Sequence, residues 1–168
     1  MPKSLAVARA REKLLSTYNH LYKKHHCPMG RGGCFYCGEP YSQWDHIPPI
    51  TRVEERRPED WKRAGYKFWL VKSCKACNMS LGNKRLFTTQ DRLEYLERRL
   101  SDKYEKGAAL WSKKEKDEMS PMFQIMIEGR QVGLRILIDR IRHVQQRAID
   151  AETHPENSGD SSPSKSRT

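Results

Sequence analysis

The chain has no apolar run approaching the roughly 18 residues of a membrane-spanning helix. Its first residues lack the uninterrupted apolar core of a secretory signal, because Arg9, Arg11, Glu12 and Lys13 break it. Apolar residues make up only 36% and the mean hydropathy is −0.90, too little for a large core. No internal repeat is present. What remains at 168 residues is one domain with appendages, or at most two small ones, in the size range where a metal staple compensates for a thin core.

Acidic charge is scarce in the first half. Lys and Arg total 32 against 21 Asp and Glu, a net charge of +11. Residues 1–30 and 31–88 each carry +5, and residues 89–168 carry +1. A solubility charge would be spread evenly; this one gathers on one half of the chain and suits a polyanion such as nucleic acid.

The five cysteines are few but patterned. Cys34 and Cys37 form one Cys-x2-Cys pair, and Cys74 and Cys77 a second. An odd count, the absence of a signal and this spacing favour reduced, metal-binding thiols over disulfides, in a cytosol-like compartment. Four thiolates from two tight knuckles fill the tetrahedron of a zinc ion and leave no open position, so that zinc would be structural. His25, His26 and Cys27 are weaker ligand candidates, because adjacent histidines diverge and Pro28 to Gly33 separates them from the knuckle.

Between the knuckles lies Asp45-His46, and Asn78 directly follows Cys77. A zinc staple would draw these three together. Asp45 and Asn78 offer hard oxygen ligands suited to Mg²⁺ or Mn²⁺ with retained waters and a substrate phosphate. His46 would point to the other side of the strand and take a proton from water at neutral pH. The plain alternative is that Asp45 caps a turn and His46 is a hydrogen-bonded core residue; the flanking knuckles and Asn78 make the joint pattern more specific.

The spacing predicts an amphipathic basic helix over 3–26, with Leu14, Leu15, Tyr18, Leu21 and Tyr22 on its stripe. A strand over 41–47 should carry Trp44 to the core and His46 to the site, until Pro48 and Pro49 stop it. Residues 51–67 read as an irregular excursion with a helical turn near Trp61, 66–71 as a second strand, and 76–81 as a short helix. Thr88 with Asp91 should cap a helix running to about Lys106, ended by Gly107. Ser120-Pro121 should start a long helix to about Ala151. Its stripe of Ile127, Leu134, Ile141 and Ala148, with Leu137 and Val144, serves either packing within the chain or a homodimer through the C-terminal helices. The fold expected is α+β: a basic helix over 1–30, a zinc-bound treble-clef (ββα-metal) core over 31–88, a helical region over 89–152 and a disordered tail over 153–168.

The set Cys-x2-Cys, Asp-His, Cys-x2-Cys-Asn resembles the HNH (His-Asn-His) endonucleases of the ββα-metal type, and its layout is similar to the zinc-stapled form of the phage recombination endonuclease VII family. The resemblance spans residues 32–88 and rests on seven residues. It implies a nuclease cutting DNA, phage-encoded or from a mobile element, in the cytoplasm of a bacterial or phage-infected cell. It implies Cys34, Cys37, Cys74 and Cys77 as zinc ligands, Asp45 and Asn78 as ligands of the catalytic Mg²⁺ or Mn²⁺, and His46 as general base. Lys84, or Arg85 beside it, would neutralise phosphate charge. Family members carry a bracing Asn about five residues before the third Cys; here Trp69 stands there, so the bracing is absent or comes from elsewhere. A zinc module that binds nucleic acid without cutting it, and an interaction protein built on the long helix, are the competing expectations.

Overall fold

The structure is a computed structural model that describes residues 3–25 and 32–153. It is a mixed α+β fold. Helix α1 (Lys3–Tyr18) runs through a 3-10 turn (Asn19–Leu21) into strand β1 (Lys23–His25). Strand β2 (Gln43–Ile47) leads to a 3-10 helix (Ile50–Glu55) and α2 (Pro58–Arg63). Strand β3 (Trp69–Ser73) delivers the chain to α3 (Lys75–Leu81). The long helices α4 (Thr89–Ala109) and α6 (Pro121–Thr153) are joined through α5 (Lys113–Asp117). The notions that Pro28 and Gly30 end the first helix and that His26 and Cys27 bind metal lie outside the described residues, as does the tail expected over 153–168 except Thr153, which is the last residue of α6.

The three strands form one sheet in the order β1-β3-β2. β2 and β3 are antiparallel, with Asp45 opposite Val71 and His46 opposite Leu70. Side chains alternate across a strand, so the register divides the sheet's two faces. One face carries Ile47, Trp69 and Val71 into a cluster with the four cysteines, Leu81, Leu93, Leu96, Ile141 and Val144. Leu70 of the other face meets a second cluster of Tyr22, Ile50, Val53, Trp61 and Phe68.

Several elements differ from expectation. The first helix stops at Tyr18 rather than continuing to 26, and Lys23 to His25 pair in parallel with β3. The cause is Tyr22, which packs edge-on against Phe68 and sends its hydroxyl to Pro48 O at 2.8 Å, a position a continuing helix could not give it. The second strand starts at Trp69, because Phe68 is spent on the second cluster. The 51–67 excursion is largely helical, and Trp61 of α2 anchors it by donating to Val53 O at 3.1 Å. Trp44 is half-exposed rather than in the core. Helix α4 continues through Gly107 to Ala109. The Thr88–Asp91 capping box forms with both of its reciprocal hydrogen bonds.

Helix α6 packs within the chain. Ile138, Ile141 and Val144 are buried, and Arg142 donates to Glu97 of α4 at 2.6 Å. An ion pair from Arg140 to Glu39 ties the same helix to the first knuckle. Several apolar side chains of its first half, among them Met122, Ile125 and Met126, stay exposed, while Ile127 and Leu134 are half-buried. Ile141→Ala is therefore expected to lower unfolding free energy by about 2–5 kcal/mol. Ile125→Ala should stay within about 0.5 kcal/mol of wild type. Chemical denaturation of the two variants checks both, and equal losses would contradict this placement of α6.

Candidate functional site

The first knuckle depends on glycine. Gly38 takes a left-handed φ of +75°, and a Cβ on Gly33 would lie 2.5 Å from the Gly38 carbonyl oxygen. Cys34 N–H donates to Glu39 O at 2.7 Å, and Phe35 N–H donates to Lys72 O at 2.7 Å, which docks the loop on β3. The second knuckle is the start of α3, where Cys74 caps the helix and its sulfur accepts from Cys77 N–H at 3.4 Å.

The two knuckles converge. The sulfurs of Cys34, Cys37, Cys74 and Cys77 lie within 4.8 Å of one another, all four residues buried and none in a disulfide. Cys37 Sγ is 3.7 Å from both Cys74 Sγ and Cys77 Sγ. A tetrahedron with metal–sulfur bonds of about 2.3 Å has edges of about 3.8 Å, so the donor set fits an ion such as zinc. Hydrogen bonding from Cys37 pulls the Cys34 thiol down to about 7, while the Cys77 thiol is pushed up by its bonds to Cys34 and the other two sulfurs. Four buried sulfurs this close together are a donor set that a dication would hold. His25 is not part of this cluster; its ring packs edge-on against Trp69 at 4.5 Å and Phe35 at 5.4 Å.

Beside the cysteines, at the β2 edge of the sheet, opens a cleft of about 290 Å³. Asp45, His46 and Asn78 all line it, as the motif spacing anticipates. The antiparallel register turns Asp45 and His46 to opposite faces, and each is held by different partners. Asp45 Oδ2 accepts from the Tyr36 hydroxyl at 2.6 Å and from the Arg92 guanidinium in a buried ion pair. Arg92, reaching over from α4, also donates to His46 O and Leu86 O, each at 3.0 Å. Burial opposes its charge, yet the neighbouring Tyr36 and Asp45 oxygens more than offset this and raise its pKa. Burial likewise pushes the Tyr36 hydroxyl well above its usual range, so it stays a donor.

On the other face, His46 packs edge-on against Tyr22 at 4.8 Å. Its Nε2 faces Asn19 Oδ1 at 3.1 Å, an acceptor, which assigns the proton to Nε2 and leaves the lone pair on Nδ1. Burial lowers the His46 pKa to about 4, assisted by Arg11 and Arg92 against the opposing charge of Asp45. Asn78 sends Nδ2 to Gln43 Oε1 at 2.6 Å, so its amide oxygen is the atom left for a ligand.

Lys84 does not join the cleft. Its ammonium donates to Ser80 O at 3.0 Å and Leu81 O at 3.5 Å, where the C-terminal carbonyls of α3 favour a cation, and it sits over the Tyr95 ring. Arg85 is drawn to Glu55 at 3.5 Å instead. Trp69 turns to the cysteine side of the sheet, so the brace on the Asp45-His46 pair comes from Arg92, Tyr36 and Asn19. No spacing rule would have found these three, which lie 47, 9 and 27 residues from the groups they hold. No known protein family, curated protein or solved structure matches this chain. Among the described residues no helix is long and apolar enough to cross a membrane.

Two outcomes are expected. Purified protein should carry one zinc per chain by elemental analysis. Stripping it with a chelator, or Cys74→Ser, should lower Tm by roughly 10 °C or more; an unchanged Tm in metal-free protein would remove the staple from this account. His46 should titrate by NMR near pH 4. Its folded pKa lies below its unfolded value of 6.5, so the unfolded chain takes up the proton first. Stability is then complete above pH 6.5 and falls by about 3 kcal/mol towards pH 4. Comparison with His46→Gln cancels acid effects on the cysteines, and matching acid profiles would refute the assignment.

Proposed function

We propose that this protein is a metal-dependent endonuclease of the HNH type that hydrolyses DNA phosphodiester bonds. The carrying observation is that Asp45, His46 and Asn78 line one cleft beside the four-cysteine cluster. The two knuckles, the β2–β3 pair and α3 form the treble-clef unit of this reading, with a structural zinc held by Cys34, Cys37, Cys74 and Cys77.

His46 is the general base. With Nε2–H held by Asn19, Nδ1 takes a proton from a water whose oxygen attacks phosphorus. The bond from phosphorus to the 3′-oxygen breaks, that oxygen gains a proton from solvent, and the products are a 3′-hydroxyl and a 5′-phosphate. A low pKa keeps the imidazole neutral and competent throughout the physiological range, at some loss of base strength. Asp45, with Oδ2 engaged by Tyr36 and Arg92, has Oδ1 for a ligand, and Asn78 has its amide oxygen. Two oxygens suit Mg²⁺ or Mn²⁺, which keeps most of its coordination for water and phosphate. Such an ion would supply charge neutralisation at the phosphate and at the leaving oxygen.

One observation favours a second reading. Arg92 already balances the Asp45 charge in a buried pair, as a non-catalytic nucleic-acid-binding module would require. A supercoiled-plasmid nicking assay separates the two. Nicking is expected with Mg²⁺ or Mn²⁺, none with EDTA, and a loss of 10²-fold or more in His46→Ala. Salt-sensitive DNA binding with no nicking under any metal would establish the binding module instead.

A further inference from the structure

A cleft that receives a phosphodiester needs a cation for its non-bridging oxygens, and the basic residues that follow α3 are committed elsewhere. Lys84 caps α3, and Arg85 and Arg52 share Glu55. The basic side chain that does line the cleft comes from the opposite end of the sequence. It is Arg11, on α1, exposed and in no ion pair among the described residues. Its cleft neighbours Thr51, Asn78 and Asn83 are neutral, and Asp45 is matched by Arg92, so no carboxylate in the cleft is left to claim it.

The placement of α1 is not incidental. Leu14, Leu15 and Tyr18 pack the helix against the second apolar cluster, and the 3-10 turn that ends it presents Asn19 to His46. One segment thus orients the base and lays a guanidinium along the same cleft. A guanidinium fork matches two phosphate oxygens, whereas the helix-capping ammonium of Lys84 spends two of its three donors on α3 carbonyls.

We propose that Arg11 is the phosphate-gripping residue of this cleft, contacting the non-bridging oxygens of the scissile phosphodiester, so that the N-terminal helix is part of the reaction centre. The proposal rests on the nuclease reading for its reaction but not for its ligand, a phosphodiester. Arg11→Ala, Arg11→Lys and Lys84→Ala are compared with wild type, after circular dichroism confirms an unchanged fold. Arg11→Ala should slow metal-dependent nicking by 10²–10³-fold, Arg11→Lys should recover part of that loss, and Lys84→Ala should stay within about threefold. Separately, the dinucleotide d(TpT) is titrated while the Trp44 indole resonance, which reports from the cleft wall, is followed by NMR. Wild type should show a saturable shift, and Arg11→Ala at least tenfold weaker binding. If Arg11→Ala nicks at the wild-type rate while His46→Ala does not, Arg11 is wrong and the nuclease stands. If wild type binds d(TpT) through Arg11 but never nicks, the phosphate grip stands and the nuclease falls. Equal d(TpT) affinity in wild type and Arg11→Ala overturns the proposal.

Discussion

The site depends on one buried ion pair. Arg92 reaches from α4 to Asp45 Oδ2 and, with the same guanidinium, to the carbonyls of His46 and Leu86. Tyr36, set between the two cysteines of the first knuckle, donates to the same carboxylate oxygen. Through these contacts the C-terminal helices, the edge strand and the cysteine cluster converge on a single dipeptide. A buried pair of this kind is weak evidence of net stability, because desolvation offsets much of the attraction. What it supplies is position: losing either partner strands a charge in the interior, so the geometry around Asp45 and His46 has few alternatives.

The strand pleat then divides the work. Asp45 faces the polar anchor of Tyr36 and Arg92, and His46 faces Tyr22 and Asn19. Two adjacent residues therefore sit in different electrostatic surroundings while opening on one cleft. A carboxylate with one oxygen engaged thus stands beside an imidazole whose pKa is lowered by burial.

Much of this was legible locally. The two Cys-x2-Cys pairs specified their own convergence, because knuckle spacing and thiol chemistry allow little else. The Thr88–Asp91 cap, the Ser120-Pro121 helix start and the alternation that separates Asp45 from His46 all rest on neighbours within four residues. The errors came where packing overrode periodicity. Leu21 and Tyr22 continue a helical stripe on paper, yet Tyr22 is better buried against Phe68 and Pro48, and the backbone after it pairs with β3. Trp44 shares a sheet face with His46 and Leu70, but it sits opposite Lys72, outside the second cluster, and lines the cleft.

Local order along the chain sets the chemistry available: four thiols at ligand spacing, an Asp-His pair on a strand, and an amide oxygen directly after the last cysteine. These are short-range relations, and the chain's own geometry enforces them. The surroundings of that chemistry come from long-range packing. That Arg92 meets Asp45, that Asn19 accepts a hydrogen bond from His46 Nε2, and that Arg11 rather than Lys84 or Arg85 lies along the cleft follow from how α1 and α4 dock on two apolar clusters. Those contacts join residues 27 to 47 positions apart in the hydrogen bonds that hold the site. At such separations the hydrophobic burial that selects the docking depends on the whole set of faces at once, and no local spacing encodes it.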